Sequence, residues 1–174
     1  LMNVCSARAL KKLEKKFIKK KNDGSLVTLA DHDIDYIIRK KLLLIDNSIP
    51  IISEESHYSE QTFLEEVFWL VDPIDGTSSY VSGENNYTIN IALVYQGSPI
   101  LGIIANPPSN SIWFGYNNQA YVTKNSSIKK LNTVQNKNNI YNIIVSRRYD
   151  NDTYNFINKI KESKIEYCSS SIKF

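Results

Sequence analysis

The chain has 174 residues, 42% of them hydrophobic and 22% charged, with a net charge of +3. That balance describes a globular chain of one domain or one and a half, and it excludes a disordered one. No apolar run approaches the about 20 residues that span a bilayer, no signal-peptide pattern opens the chain, and two cysteines, Cys5 and Cys168, make no disulfide framework, so no membrane partner, reduced thiols and a cytoplasmic location are expected.

Residues 3–21 carry an apolar stripe of Ala9, Leu10, Leu13 and Phe17 and predict an amphipathic helix. Lys11, Lys12, Lys15, Lys16, Lys19, Lys20 and Lys21 crowd this stretch. They read as the solvated face of that helix, or as a field that draws in phosphorylated ligands. Without interleaved aromatics they do not make a nucleic-acid surface, so no nucleic-acid partner is expected. "NDGS", Asn22 to Ser25, marks a turn. A second helix opens at Thr28-Leu29-Ala30-Asp31, a capping-box pattern, and carries Ala30, Ile34, Ile37, Ile38, Leu42 and Ile45.

Then the period changes from helical to strand-like. Ile49 to Ser53 reads as a short buried strand ending in Glu54-Glu55, followed by a polar loop over residues 56–66 and a strand from Phe68 to Val71. Tyr87 to Tyr95, Pro99 to Ala105, Ile112 to Tyr116 and Ala120 to Val122 alternate with the turn clusters "QGSP", "NPPSNS" and "NNQ", which argues for an antiparallel meander. Asn132 to Asn139 reads as a linker. After it come a strand at Tyr141 to Val145, a helix capped by Asn151 or Asp152 with Phe156, Ile157 and Ile160, and a strand at Ile165 to Cys168. The expected organisation is an N-terminal α+β domain over residues 1–131, then a linker and the start of a second α/β domain over 132–174. Roughly 35 residues cannot bury a core of their own, and "SSSIKF" has the pattern of an element beginning, so the natural chain is expected to continue past Phe174.

The chemistry concentrates in "FWLVDPIDGTSSY", Phe68 to Tyr80. A buried strand delivers Asp72 to the sheet rim, and Pro73 removes a ladder donor and stops the strand there. Asp75 can turn back toward Asp72 with the Ile74 carbonyl between them. Gly76 permits backbone conformations that other residues resist. Thr77, Ser78 and Ser79 offer hydroxyls and free N–H groups at a helix start, which attract anions. Two such carboxylates repel unless a cation sits between them, and oxygen-only ligation suits Mg²⁺, Mn²⁺ or Ca²⁺ rather than Zn²⁺. Glu54 joins the cluster if its strand neighbours that of Asp72. Taken singly, Asp72-Pro73 and Asp75-Gly76 equally fit ordinary turns, Asp31 a helix cap, Glu54 and Glu55 a solvated loop, and Thr77 an N-cap. His32 and His57 read as surface residues.

In combination, "DGSLVTLAD", "IISEES" and "WLVDPIDGTSSY" resemble the inositol monophosphatase-like superfamily of metal-dependent, lithium-sensitive phosphatases. "NDGSLVTLAD", "YTINIALVYQGSPILGIIANP", "IIVSRR" and "CSSSIKF" look most like its bacterial 3'(2'),5'-bisphosphate nucleotidase branch. The resemblance implies the layered α/β sandwich of sugar phosphatases, a helix pair on an antiparallel sheet, with the second α/β domain incomplete. It implies two or three Mg²⁺ ions on Glu54, Asp72, the Ile74 carbonyl and Asp75. Asp31 and Thr77 inherit the orientation of the attacking water, and backbone N–H groups of Gly76, Thr77 and Ser78 inherit the phosphate. The implied substrate is 3'-phosphoadenosine 5'-phosphate, with an inositol 1-phosphate phosphatase or an inactive phosphate-ligand-binding relative as the alternatives, and the implied assembly is a homodimer. Arg147 and Arg148 fit either contacts to a second phosphate or plain surface charge. The family's further Asp, in a "WD" motif, is expected beyond Phe174, since neither Trp69 nor Trp113 precedes an Asp.

Overall fold

Two helices lie against one face of a seven-stranded sheet. The computed structural model describes residues 1–13, 18–20, 26–56, 65–125, 127–132, 140–146, 150–160 and 162–173. Expectations placed on Lys15, Lys16, Phe17, Lys21, the Asn22–Ser25 turn, His57, most of the 56–66 loop, residues 133–139 of the linker, Arg147 and Arg148 lie outside them.

Helix α1 runs Met2–Lys12, nine residues short of the expected end, and Ile18–Lys20 is instead a strand, β1, paired antiparallel with β2, Leu26–Thr28. Lys19 and Lys20 therefore do not share a helix face with Lys11 and Lys12. Lys12 pairs with Asp33 at 2.9 Å, and Arg8 approaches the same carboxylate at 3.7 Å. The buried stripe of α1 is Met2, Cys5 and Ala9, while Leu10 is exposed. Burial pushes the Cys5 thiol up to about 11, and neither it nor Cys168 is in a disulfide.

Helix α2, Leu29–Leu43, starts on the expected capping box: Thr28 and Asp31 exchange bonds that satisfy two orphan N–H groups. It buries Ala30, Ile34, Ile38 and Leu42 at helical spacing, and it ends before the exposed Ile45. Burying each of the Ile and Leu side chains contributes about 1.5–3 kcal/mol.

The sheet order is β3 (Ile51–Ser53), β4 (Val67–Asp75), β5 (Thr88–Tyr95), β6 (Ser98–Asn106), β7 (Ser111–Tyr116), β8 (Gln119–Lys124) and β9 (Ser127–Leu131). From β4 onward the pairing is the expected antiparallel meander, extended by the unforeseen β9; β3 pairs parallel to β4. Two-residue turns at Gln96-Gly97 and Asn117-Asn118 have positive φ at both positions, the hairpin geometry that matches strand twist. Trp69, Val71, Ile89, Ile91 and Ala105 face the helices and share their core. Beyond the sheet, β10 (Tyr141–Val145), α4 (Asn151–Ile157) and β11 (Ser163–Tyr167) form a parallel βαβ unit. Asp150 caps α4, accepting from the Thr153 N–H at 2.8 Å, one residue before the expected cap. The helix also stops short of Ile160 and leaves Phe156 exposed.

Among the described residues no helix is long and apolar enough to cross a membrane.

Candidate active site

Pro73 does not end β4. The strand continues to Asp75, and its register against β5 shifts between Asp72 and Asp75. Asp72 faces Asn90 and Asp75 faces Thr88, so Pro73 and Ile74 together oppose the single residue Ile89. A bulge of this kind absorbs a proline that cannot donate to a ladder. It also changes the phase of the strand. Residues three apart normally point to opposite faces, but Asn90 and Thr88 are two apart and share a face, so their partners Asp72 and Asp75 do too. Burial shows the same switch: Trp69 and Val71 face the core before the bulge, and Ile74 faces it after.

The parallel pairing of β3 with β4 brings both C-terminal ends to one rim. Ser53 is in register with Val71, and the Glu54 N–H donates to the Val71 carbonyl at 3.2 Å, which sets Glu54 beside Asp72. Burial, foremost, pushes the Asp72 carboxyl up to about 8; the charges of Glu54 and Asp75, a hydrogen bond with Glu54 and the charge of Asp31 push the same way. Asp72 Oδ1 is buried and accepts no hydrogen bond. A buried acceptor without a donor costs about 1–3 kcal/mol.

Asp31, 1% exposed, is also raised by burial, and Glu55 adds to it against the hydrogen bonds from Thr28. Its Oδ2 accepts from the Thr28 N–H at 2.8 Å and from the Thr28 hydroxyl at 2.6 Å. The Thr77 hydroxyl donates to the Ile74 carbonyl at 3.1 Å. Asp31 and Thr77 are thus satisfied locally rather than by one another. Thr77 is the first residue of a short helix, α3 (Thr77–Ser82), not its cap; Gly76 takes that place at φ 88°. A side chain there would be strained, and a Cβ would stand 2.9 Å from the Asn86 carbonyl oxygen and 3.2 Å from Ser170 Cβ. Ser78 is exposed on the same turn.

Asp75 has the opposite surroundings to Asp72. Its Oδ2 accepts from the Ser171 N–H at 2.6 Å, the Ser171 hydroxyl at 2.7 Å, and more distantly from Thr88 Oγ1 and Asn90 Nδ2, each at 3.4 Å. Sequence reasoning assigned no role to Thr88, Asn90 or Ser171. The signal for the first two was polar residues two apart in the otherwise apolar "TINIALVY"; for Ser171 it was the serine run, whose 3-10 turn Ser170–Lys173 folds back onto β5.

The structure therefore brings together Glu54, Asp72, Asp75 and Asp31, with Ile74, Gly76 and Thr77 on the adjoining backbone. Beside them is a cleft of about 440 Å³ lined by Glu54, Leu70, Asp72 and Asn90 among others. Among the described residues no three His, Cys, Asp or Glu side chains already close around one ion-sized point. The chemistry of the donors nevertheless fits a hard cation. All are oxygens, one buried oxygen lacks a donor, and the acids raise Asp72 together, a penalty that a positive charge relieves.

Comparison with known proteins gives a consistent placement. The model of the inositol monophosphatase family matches residues 1–172. The chain is 37% identical over 157 residues to a 3'(2'),5'-bisphosphate nucleotidase CysQ of Buchnera aphidicola, covering 88% of this chain and 58% of that protein. It is 28% identical to the protein of the same name from Salmonella typhimurium, covering 89% of this chain and 63% of the relative. It thus spans about three fifths of the length of these relatives. Its fold matches a Thermotoga maritima IMPase with a TM-score of 0.81 at 20% identity, over 98% of this chain and 66% of that one. CysQ from Bacteroides thetaiotaomicron matches with a TM-score of 0.79 at 22% identity, over 99% and 71%. With a family match from residue 1 to residue 172 and nucleotidase relatives aligned over most of that span, the chain belongs to the inositol monophosphatase family.

Proposed function

We propose that the protein is a Mg²⁺-dependent phosphomonoesterase that removes phosphate from 3'-phosphoadenosine 5'-phosphate, leaving AMP. The observation that carries the reading is the buried, donorless Oδ1 of Asp72, in a carboxyl raised by burial and by three neighbouring acids. Unrelieved, that arrangement only destabilises the fold; with a divalent cation it becomes a ligand set. Glu54, Asp72, Asp75 and the Ile74 carbonyl would hold two or three ions. That carbonyl has a second lone pair besides the one taken by Thr77. Glu54 is exposed and can rotate onto an ion without disturbing the core.

Bound Mg²⁺ supplies charge neutralisation at the phosphoryl group and a more acidic water. The chain's own groups do the positioning. Asp31 and Thr77 orient the attacking water, and the backbone N–H groups of Gly76, Thr77 and Ser78 hold the phosphate. The bulge keeps Asp72 and Asp75 on one face, so the protein does not spend reorganisation on bringing them together during the reaction. The nucleotide is preferred over inositol phosphate because relatives bearing the nucleotidase name align at 28–37% identity over most of the chain.

The test is phosphate release by the full-length protein from 3'-phosphoadenosine 5'-phosphate and from inositol 1-phosphate, each with Mg²⁺ and with a chelator. The expected result is Mg²⁺-dependent release with the higher kcat/KM on the nucleotide. Equal turnover, or preference for inositol 1-phosphate, overturns the nucleotidase assignment. Release from neither substrate overturns the enzyme reading and leaves the phosphate-ligand-binding relative.

A further inference from the structure

We propose that Asp35 is a positioning residue for this site, holding the turn that carries Glu54 and Glu55. The inference rests on the phosphatase reading and deepens it. Asp35 lies one helical turn beyond Asp31 on α2, so the two share a face that looks onto the rim of the sheet. It is 8% exposed. Neither the capping box nor the cation cluster accounts for a buried carboxylate there.

Its partners do. Ser53 Oγ donates to Asp35 Oδ1 at 2.5 Å, and Ser56 Oγ donates to Oδ2 at 3.0 Å. These serines bracket Glu54-Glu55. The turn between them is closed by the Ser56 N–H on the Ser53 carbonyl at 3.1 Å, and Ser53 Oγ accepts from the Glu55 N–H at 3.5 Å. On its other side the turn is tied to β4 by the Glu54 N–H on Val71. So the backbone of the turn is fastened to the strand that carries Asp72, and its side chains are fastened to the helix that carries Asp31.

A carboxylate suits the position because it has two acceptor oxygens and no donor, and it can take both hydroxyls at once. Alanine would release the turn from α2, leaving it held only by its backbone bonds to Val71 and across the turn. The consequence falls on cation affinity. Partners that orient ligating carboxylates typically change metal affinity by about 10–100-fold when removed.

The experiment titrates Mg²⁺ alone into the full-length protein by calorimetry, for wild type, Asp35→Ala and Asp35→Asn. Each is paired with hydrogen exchange of the 53–56 segment in the metal-free protein. Asparagine keeps a polar group for each serine but removes the charge, so it separates holding the turn from simple attraction of a cation. The expected result for Asp35→Ala is a Mg²⁺ dissociation constant weaker by about 10–100-fold, faster exchange over 53–56, and a kcat at saturating Mg²⁺ close to wild type. Asp35→Asn keeps one acceptor and must donate through its amide to the other serine, so it is expected to fall between wild type and alanine in dissociation constant and exchange, with kcat again close to wild type. A folded Asp35→Ala that binds Mg²⁺ as tightly as wild type overturns the inference, as does an Asp35→Asn as weak as alanine. Should Asp35→Ala fail to fold, Ser56→Ala removes one tie from the turn side; an unchanged dissociation constant and exchange rate there overturn the inference equally. A wild-type protein that binds no Mg²⁺ overturns the phosphatase reading, and the inference with it.

Discussion

At the β3–β4 end of the site, Asp72 faces Glu54, Asp75 and Asp31, all acids, and one of its oxygens has no donor. At the β5 end, three residues on, Asp75 Oδ2 is met by two close donors from Ser171 and two distant ones from Thr88 and Asn90. Same residue type, same strand, same face, opposite electrostatic condition. The first end keeps its carboxylates apart in charge only by holding a proton or by binding a cation. The second is already organised by protein donors, the two close ones from the turn that follows the βαβ unit. A site built this way has one half held by protein donors and one half whose buried oxygen lacks one.

The sharpest way to break this comparison is to neutralise each acid in turn. Both Asp72→Asn and Asp75→Asn should lose several kcal/mol of transition-state stabilisation, on the order of 10³-fold in kcat/KM for phosphate release. Their metal-free stabilities should move in opposite directions. Asp72→Asn exchanges a repelled acid for an amide that can donate to Glu54, so its melting temperature in chelator should rise. Asp75→Asn weakens charge-assisted hydrogen bonds worth about 1.5–3 kcal/mol each, so its melting temperature should fall. Shifts of the same sign in both variants would erase the distinction between the two ends.

A smaller effect probes the joint between them. Gly76 follows Asp75 at φ 88°, against Asn86 and Ser170. Gly76→Ala should cost about 1–3 kcal/mol, because a left-handed non-glycine residue is strained and its Cβ presses on backbone. Denaturant unfolding reads the loss. Full stability in the alanine variant would mean that the turn relaxes freely and holds neither end in place.

How much of this was legible beforehand follows from which interactions are local. The capping box at Thr28 and Asp31 spans four residues and was readable as written. So was the meander, because its hairpin turns announce themselves in Gln96-Gly97 and Asn117-Asn118. The approach of Glu54 to Asp72 required parallel pairing of two strands separated by a polar loop; it could be stated only as a condition, and the structure meets it. Pro73 looked like a stop because a proline lacks a donor, but a register shift against β5 absorbs that loss and lets the strand run on to Asp75. Helix α1 was drawn too long because the lysine-rich stretch keeps helical propensity, and only pairing with Leu26–Thr28 makes Ile18–Lys20 a strand. Thr88, Asn90 and Ser171 went unassigned because their partner is 13, 15 and 96 residues away, and no local rule reaches that far.

The gentlest test uses pH. The Asp72 carboxyl is raised to about 8 and Asp31 is raised as well, burial leading in both. Between the ordinary Asp value of 3.8 and about 8, the unfolded chain has given up its Asp72 proton while the metal-free folded chain still holds it. The folded state then binds more protons than the unfolded one, so this group's contribution to stability falls as pH rises across that window and is flat above it. Other carboxylates contribute their own slopes, so the informative quantity is wild type minus Asp72→Asn, measured in chelator. That difference in melting temperature should widen from pH 4 to pH 8, at about 2–4 °C for each kcal/mol in a chain of this size. With Mg²⁺ present it should shrink, because binding needs the deprotonated carboxylate and releases the proton. Calorimetry of Mg²⁺ binding at pH 7 in buffers of different ionisation enthalpy should show that release for wild type and less of it for Asp72→Asn. A pH-independent difference between the two proteins would mean that Asp72 is already ionised in the free protein, and that the repulsion at the β3–β4 end is relieved by something other than a bound cation.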